Sequence, residues 1–274
     1  MAKYTIGFIG TGNMGGALIR AACKGIDPKQ VLITNHTLDK AKRLADEVGC
    51  DVVLTNEEVV RQCKFIMLGV KPQVLPAVLQ EIAPAVKACT EAGEEKVLVS
   101  MAAGVTMDSM EQSLALHNRV PIIRIMPNTP AGIGKGMTLV SGEKASPAQV
   151  AQLEEILKMS GRFDEIPEKL SDAAGVAAGC TPAFTYMFIE ALADGAVMAG
   201  VPRAKAMEYA AQAVMGAAAL VLESGQHPGA LKDAVCSPGG STIVGVSKLE
   251  EGGLRSAAIQ AILGAYHRNQ ELGK

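Results

Sequence analysis

Two rhythms of apolar residues divide this chain. Up to about residue 166, short aliphatic runs alternate with longer stretches whose apolar positions recur every three or four residues. The runs Tyr4–Ile9, Val31–Thr34, Asp51–Leu54, Phe65–Gly69, Val97–Ser100 and Pro121–Met126 predict strands. Asn13–Lys24, Leu38–Val48 and Pro72–Val86 predict the helices between them. A further strand pair, Gly136–Ser141 and Arg162–Ile166, flanks a predicted helix from Pro147 to Met159. Such alternation implies an α/β fold: a doubly wound parallel sheet with helices on both faces.

From residue 167 onward the strand rhythm is gone. Helical spacing takes over at Pro182–Ala199, Arg203–Glu223 and Gly253–Glu271, in segments rich in Ala, Gly and Met. Gly-Val-Pro and His-Pro-Gly turns separate them. The chain therefore divides into an α/β part, 1–166, and an all-helical part, 167–274. Small residues crowd Ala210–Ala219, so helices can approach closely there. One small helical layer has few ways to bury so much apolar surface. A helical dimerisation domain is the favoured reading, with a self-contained helical core as the plainer one.

Composition narrows the function. Of 274 residues 49% are hydrophobic but only 3% aromatic, so the core is aliphatic, with 13 Met as filler. The 26 Lys and Arg nearly balance 28 Asp and Glu, which argues against a nucleic-acid surface. Six cysteines, at 23, 50, 63, 89, 180 and 236, show no Cys-x-x-Cys spacing and predict neither zinc nor a dithiol motif. Free thiols and the lack of a cleavable signal pattern suit the cytoplasm. The longest weakly polar stretch identified, Ala210–Leu222, is too short to span a bilayer, so no membrane partner is expected.

The first predicted strand runs through Ile9 into Gly10-Thr11-Gly12-Asn13-Met14-Gly15, which opens a helix. This is the dinucleotide fingerprint in its proper setting. Gly10 permits the tight turn, Gly12 lets a pyrophosphate come close to the backbone, and Gly15 lets helix and strand pack closely. At the end of the second strand an NAD enzyme places a carboxylate for the ribose hydroxyl. Here Thr34-Asn35-His36-Thr37 offers none before Asp39, and Lys40 and Lys42 follow, so NADPH is the expected cofactor. A second glycine-rich break, Cys236-Ser-Pro-Gly-Gly-Ser-Thr242, offers backbone N–H groups and hydroxyls suited to a carboxylate. An ordinary interhelical loop is the equal alternative.

The stretch His227–Thr242, read with Gly7–Gly12, Val70-Lys71-Pro72, Ala102–Val105, Arg124–Pro130 and Ala191–Gly195, closely resembles pyrroline-5-carboxylate reductases along nearly the whole chain. The resemblance implies a Rossmann domain joined to a helical domain that pairs two subunits, often within a larger ring of dimers. It implies NADPH-dependent hydride transfer to the C=N bond of 1-pyrroline-5-carboxylate, giving L-proline. It also assigns residues. Ser237, Gly239, Gly240, Ser241 and Thr242 would hold the substrate carboxylate, and Thr242 would hydrogen-bond the ring nitrogen as the catalytic residue. Ile9, Gly10, Thr11, Gly12, Asn13, Met14, Asn35, His36, Asn56, Val70, Lys71, Pro72, Ala102 and Ala103 fall where the family contacts the cofactor.

The chain departs from the family pattern at Ala177–Phe184 and at Cys236. Cys180 and Cys236 read as small apolar fillers, with a close thiol pair as the alternative. His227 reads as a turn cap rather than a base. The competing readings are a hydroxyacid dehydrogenase, which shares the glycine-rich opening but needs a basic residue for an alcohol proton, and a non-catalytic NADP-sensing protein. Lys205, Lys232 and Lys248 do not sit in the dehydrogenase helix motif.

Overall fold

The computed structural model describes residues 2–116 and 120–272. Its sheet is built from β1 (Tyr4–Ile9), β2 (Val31–Thr34), β3 (Asp51–Val52), β4 (Cys63–Leu68), β5 (Val97–Ser100), β6 (Ile122–Met126), β7 (Gly136–Lys144) and β8 (Gly161–Glu165). Their spatial order is β3-β2-β1-β4-β5-β6-β7-β8. The first six strands pair in parallel, as the strand–helix alternation predicts.

β7 departs from that rule. It runs antiparallel to β6 and pairs in parallel with β8. Only Pro127–Lys135 joins β6 to β7, and a parallel crossover needs a dozen residues or more. The chain can only turn back.

Period-two alternation sends side chains to two layers. Ile6, Phe8, Phe65, Met67, Val97 and Val99 face one, where α1 (Asn13–Gly25), α2 (Leu38–Val48) and α6 (Pro147–Leu157) pack. Leu32, Ile66, Leu68 and Leu98 face the other, covered by α3 (Asn56–Gln62), α4 (Leu75–Glu91) and α5 (Met107–Leu114). Both faces are buried, so these strands read as continuous apolar runs.

Several boundaries move from their sequence positions. The predicted strand Asp51–Leu54 shrinks to Asp51–Val52, because Thr55 caps α3 through a reciprocal Thr55–Glu58 capping box. The helix expected from Pro72 begins at Leu75 after a turn closed by Lys71 and runs on past Pro84 to Glu91. α5 and α3 were absent from the sequence reading, being too short for a helical period to show.

The chain forms two compact units. One runs through Cys180 and takes in the chain end from Tyr266; the other is Thr181–Ala265. The first includes α7 (Ser171–Gly179). The second holds α8 (Thr181–Met198), α9 (Arg203–Ser224), α10 (Pro228–Ala234), α11 (Ser241–Glu251) and the larger part of α12 (Leu254–Leu272). Within Thr181–Ala265 the buried apolar side chains are three alanines, Ala193, Ala206 and Ala210, where α8 meets α9.

Large apolar side chains of this unit lie exposed, among them Tyr186, Met187, Leu222, Val244 and Met198, the last 90% accessible. The helical segment Glu168–Met198 is by itself long and apolar enough to cross a bilayer, an 18-residue stretch of it having a mean hydropathy of 1.3. The sequence expectation that Ala210–Leu222 is the longest such stretch is corrected here. Thr181 follows Cys180 without a break in helical backbone, so two shorter segments fuse into one.

Candidate active site

The carboxyl ends of four parallel strands form one row. Register pairs Ile9 with both Thr34 and Leu68, and Leu68 with Ser100. The residues just past them are Gly10, Asn35, Gly69 and Met101. Strand order reverses direction between β1 and β4, and such a switch point opens the crevice in which doubly wound sheets bind ligands. The sequence reading missed Gly69, whose signal was a glycine closing an apolar strand, just as Gly10 closes β1.

Gly10 has φ +105°, and a Cβ there would lie 2.5 Å from the Gly69 carbonyl oxygen. The two strand ends are therefore in backbone contact, which only glycines permit. Gly12 behaves differently. A Cβ on it would meet no atom within 4 Å, so nothing among the described residues requires its small size. That open side lies at the N-terminus of α1, where no side chain caps the helix and backbone N–H groups face outward.

Asn35 holds the turn rather than standing free. Its Oδ1 accepts from the Thr11 N–H at 3.0 Å, and its Nδ2 donates to the Thr37 carbonyl at 3.0 Å. The buried Thr11 hydroxyl, in contrast, has no partner among the described residues. An unpaired buried hydroxyl, an uncapped helix start and a vacant Cβ direction together fit a dinucleotide pyrophosphate.

The other predicted contacts take their places around the row. Asn13 and Met14 form the first turn of α1, while Val70, Lys71 and Pro72 follow Gly69. His36 and Lys71 are exposed, with no charged partner among the described ion pairs. Ala102 is buried, its N–H donating to the Ser100 hydroxyl at 3.2 Å, and Ala103 next to it is exposed. Asn56 starts α3 and donates to Glu81 at 3.0 Å. No carboxylate lies between Thr34 and the first turn of α2, where Asp39 sits.

All six cysteines are free, Cys180 and Cys236 half-buried. Burial pushes the Cys63 thiol up to about 12. It is no nucleophile.

The Pro-Gly-Gly loop is a turn that delivers a helix. Gly240 N–H donates to the Ser237 carbonyl at 3.0 Å, and Gly239 takes φ +70° at the third turn position, behind Pro238. Gly240 then caps α11 without a side-chain bond, leaving the helix start open. A Cβ on Gly240 would lie 2.4 Å from the Ser237 hydroxyl, which brings that hydroxyl to the same helix end. Ser241 and Thr242 form the exposed first turn of α11. The expectation of a loop reaching Thr242 is corrected: the last two residues are helical. Between Ser237 and Thr242 no side chain titrates near neutrality. His227 caps α10, its Nδ1 accepting from the Gly229 N–H at 3.0 Å, as the turn-cap reading expects.

Known proteins resemble this chain over both parts. Residues 168–272 match the family model described as pyrroline-5-carboxylate reductase dimerisation, and residues 5–104 match NADP oxidoreductase, coenzyme F420-dependent. A pyrroline-5-carboxylate reductase of Escherichia coli is 42% identical over 272 residues, 98% of each chain. The structure of a pyrroline-5-carboxylate reductase from Coxiella burnetii superposes with a TM-score of 0.88 at 29% identity, covering 99% of each chain. That of pyrroline carboxylate reductase from Plasmodium falciparum, with NADP bound, gives a TM-score of 0.84 at 28% identity over 100% of both. A likeness spanning both chains end to end takes in the glycine turn and the open start of α11 alike, and the chain belongs to the pyrroline-5-carboxylate reductase family.

Proposed function

We propose that this protein reduces the C=N bond of 1-pyrroline-5-carboxylate with NADPH, yielding L-proline. One observation carries the reading beyond family membership: the chain pairs a dinucleotide turn with an open helix start whose residues include no acid or base. The substrate ring nitrogen can arrive already protonated, so the electrophile is activated without a tuned side chain. NADPH, when bound, supplies the hydride. The protein contributes placement and exclusion of water.

Each residue then has a task. Gly10, Gly12 and the first turn of α1 receive the pyrophosphate, with the Thr11 hydroxyl available as a further donor. His36, with Lys40 beyond it, receives the 2′-phosphate, and Asn35 holds the turn beside it. Asn56, Val70, Lys71, Pro72, Ala102 and Ala103 complete the cofactor lining. The N–H groups of Ser241 and Thr242, with the Ser237 and Ser241 hydroxyls, hold the substrate carboxylate, and Gly239 and Gly240 shape that turn. The Thr242 hydroxyl oxygen accepts from the ring N–H.

The protein is a homo-oligomer. The domain assignment we propose is NADP binding by residues 1–166, with dimerisation and substrate binding by 167–274. The exposed side chains of α8, α9 and α11 support it, and a second copy rather than lipid is the proposed cover for Glu168–Met198. A larger ring of dimers and a cytoplasmic location, free of membrane or nucleic acid, belong to the same reading. Loss of NADPH absorbance with pyrroline-5-carboxylate, a six-membered cyclic imine and a 2-oxo acid tests the activity. Turnover of the 2-oxo acid alone would overturn it.

A further inference from the structure

Helices α1 and α2 meet in matched steps along their lengths. A Cβ on Gly16 would stand 3.8 Å from a methyl carbon of Leu44. One turn on, the Arg20 guanidinium holds the Glu47 carboxylate through two bonds, of 2.6 and 2.7 Å. The next step joins Cys23 to Cys50. Positions 16, 20 and 23 fall on one stripe of α1, and Cys50 follows Gly49, which ends α2 with φ +82°. The loops beyond the two helices adjoin as well. A Cβ on Gly49 would meet Pro28 at 3.8 Å, and the Lys29 ammonium pairs with Asp51 at 2.8 Å. Contacts on both sides therefore bring the two thiols together, and they hydrogen-bond each other. Both pack on the same aliphatic core, Cys50 buried and Cys23 half-buried, so that one sulfur of the pair lies near the surface.

We propose that Cys23 and Cys50 form a reversible oxidation site, a dithiol that hydrogen peroxide converts to a disulfide joining α1 to α2. The pair lies across two helices, so no Cys-x-x-Cys spacing announces it. The chemistry takes two steps. One thiolate attacks the peroxide O–O bond and becomes a sulfenic acid, releasing water; the neighbouring thiol then displaces a second water from that sulfur. Two electrons leave the cysteine pair, and its two protons end in water with the peroxide oxygens. The hydrogen bond from Cys23 holds the Cys50 thiol below its usual range, which favours the thiolate that the first step needs. Because packed helices hold both sulfurs in place, the second step is intramolecular and outruns further oxidation. A thiol reductant reverses the bond by exchange.

The proposal stands apart from the reductase reading, and the folded full-length protein tests it. Hydrogen peroxide is added, remaining thiols are alkylated before any denaturant, and the chain is digested with trypsin. The expected product is peptide 21–24 joined to peptide 44–61 with loss of two hydrogens, and dithiothreitol should return both thiols. The linked protein should melt about 5 °C or more above the reduced one, because the link restricts the unfolded chain. Cys23→Ser removes the partner thiol. Cys50 in that variant should pass on to sulfinic acid, which dithiothreitol does not reverse. Should Cys23→Ser fold poorly, Cys50→Ala gives the converse test, with Cys23 left unlinked. Thiols at 23 and 50 that stay free under peroxide, or that oxidise separately in the parent, would overturn the proposal. So would a link that forms only after denaturation, or a linked protein that melts below the reduced one.

Discussion

Gly15 packs so tightly on the turn before it that a Cβ at this position would lie 2.6 Å from the Gly10 carbonyl oxygen. Gly12, two residues beyond Gly10, has open space on the same test. The two glycines should therefore fail in different ways. Gly15→Ala must push backbone apart and should destabilise the fold by about 1–3 kcal/mol. Gly12→Ala fits the backbone, with φ −65° and ψ −173°, and should melt like the parent. Its methyl group would occupy the place of the pyrophosphate and weaken NADPH binding by at least about tenfold. Melting curves and NADPH titrations on the two variants separate these effects. A Gly12→Ala protein that binds NADPH normally would place the pyrophosphate elsewhere.

The end of β2 sets the choice of cofactor. With no carboxylate before Asp39, kcat/KM should favour NADPH over NADH by at least about tenfold. His36→Asp puts a negative charge where the 2′-phosphate is proposed to sit and should erase most of that preference. Steady-state rates with both cofactors decide the matter. Equal use of NADH by the parent would contradict it.

Thr242 stands in the first turn of α11 and does not cap it, since Gly240 is the cap and no side chain bonds the helix start. A hydroxyl facing a charged ring nitrogen is worth about 1.5–3 kcal/mol, so Thr242→Ala should lower kcat/KM roughly 10- to 150-fold. Melting temperature and NADPH affinity should stay near parental values. Thr242→Ser should recover most of the activity. An alanine variant that melts early yet turns over normally would make Thr242 a structural residue only.

Acid should destabilise the α/β unit in part through its paired carboxylates. Asp51 is held below its usual range chiefly by Lys29, then by the Tyr4 hydroxyl. Glu94 is lowered chiefly by the buried Lys96 ammonium, 3.0 Å away. A carboxyl whose pKa is lower in the folded chain stabilises it above the unfolded value. That contribution is lost as pH falls through the folded one. Stability should thus drop as pH falls below the ordinary carboxylate range, about pH 4. Asp51→Asn and Glu94→Gln should each flatten the drop. Denaturant midpoints across that range, unchanged in slope by either variant, would refute the assignment.

How much of this was readable beforehand depends on distance along the chain. The glycine turn, strand β1 and helix α1 are neighbours in sequence, and a period of two or of three to four residues announces them. α3 and α5 are too short to show a period, although the Thr55–Glu58 capping box was a usable signal. The antiparallel turn of β7 could have been read from the length of Pro127–Lys135. Asn35 is the instructive residue: its place at the end of β2 was legible, but its bonds to Thr11 and Thr37 are not. They depend on where β1 lies, which only the assembled sheet decides. The hydrogen bond from buried Arg124 to Asp172 spans 48 residues and left no local trace.

The three buried alanines of Thr181–Ala265 have a consequence for the physical state of the protein. Such a core removes too little apolar surface from water to offset the conformational entropy of the helices it would order. On the proposed reading the missing free energy comes from a second copy, and folding of this half would be a bimolecular event. Its melting temperature should then climb with protein concentration, whereas a self-contained helical domain would melt at one temperature at any dilution. By the same reasoning Met198, among the most exposed side chains of the single chain, would act as a core residue in the thermodynamic sense. Met198→Asp should lower both the melting temperature and the mass seen by light scattering at micromolar concentration.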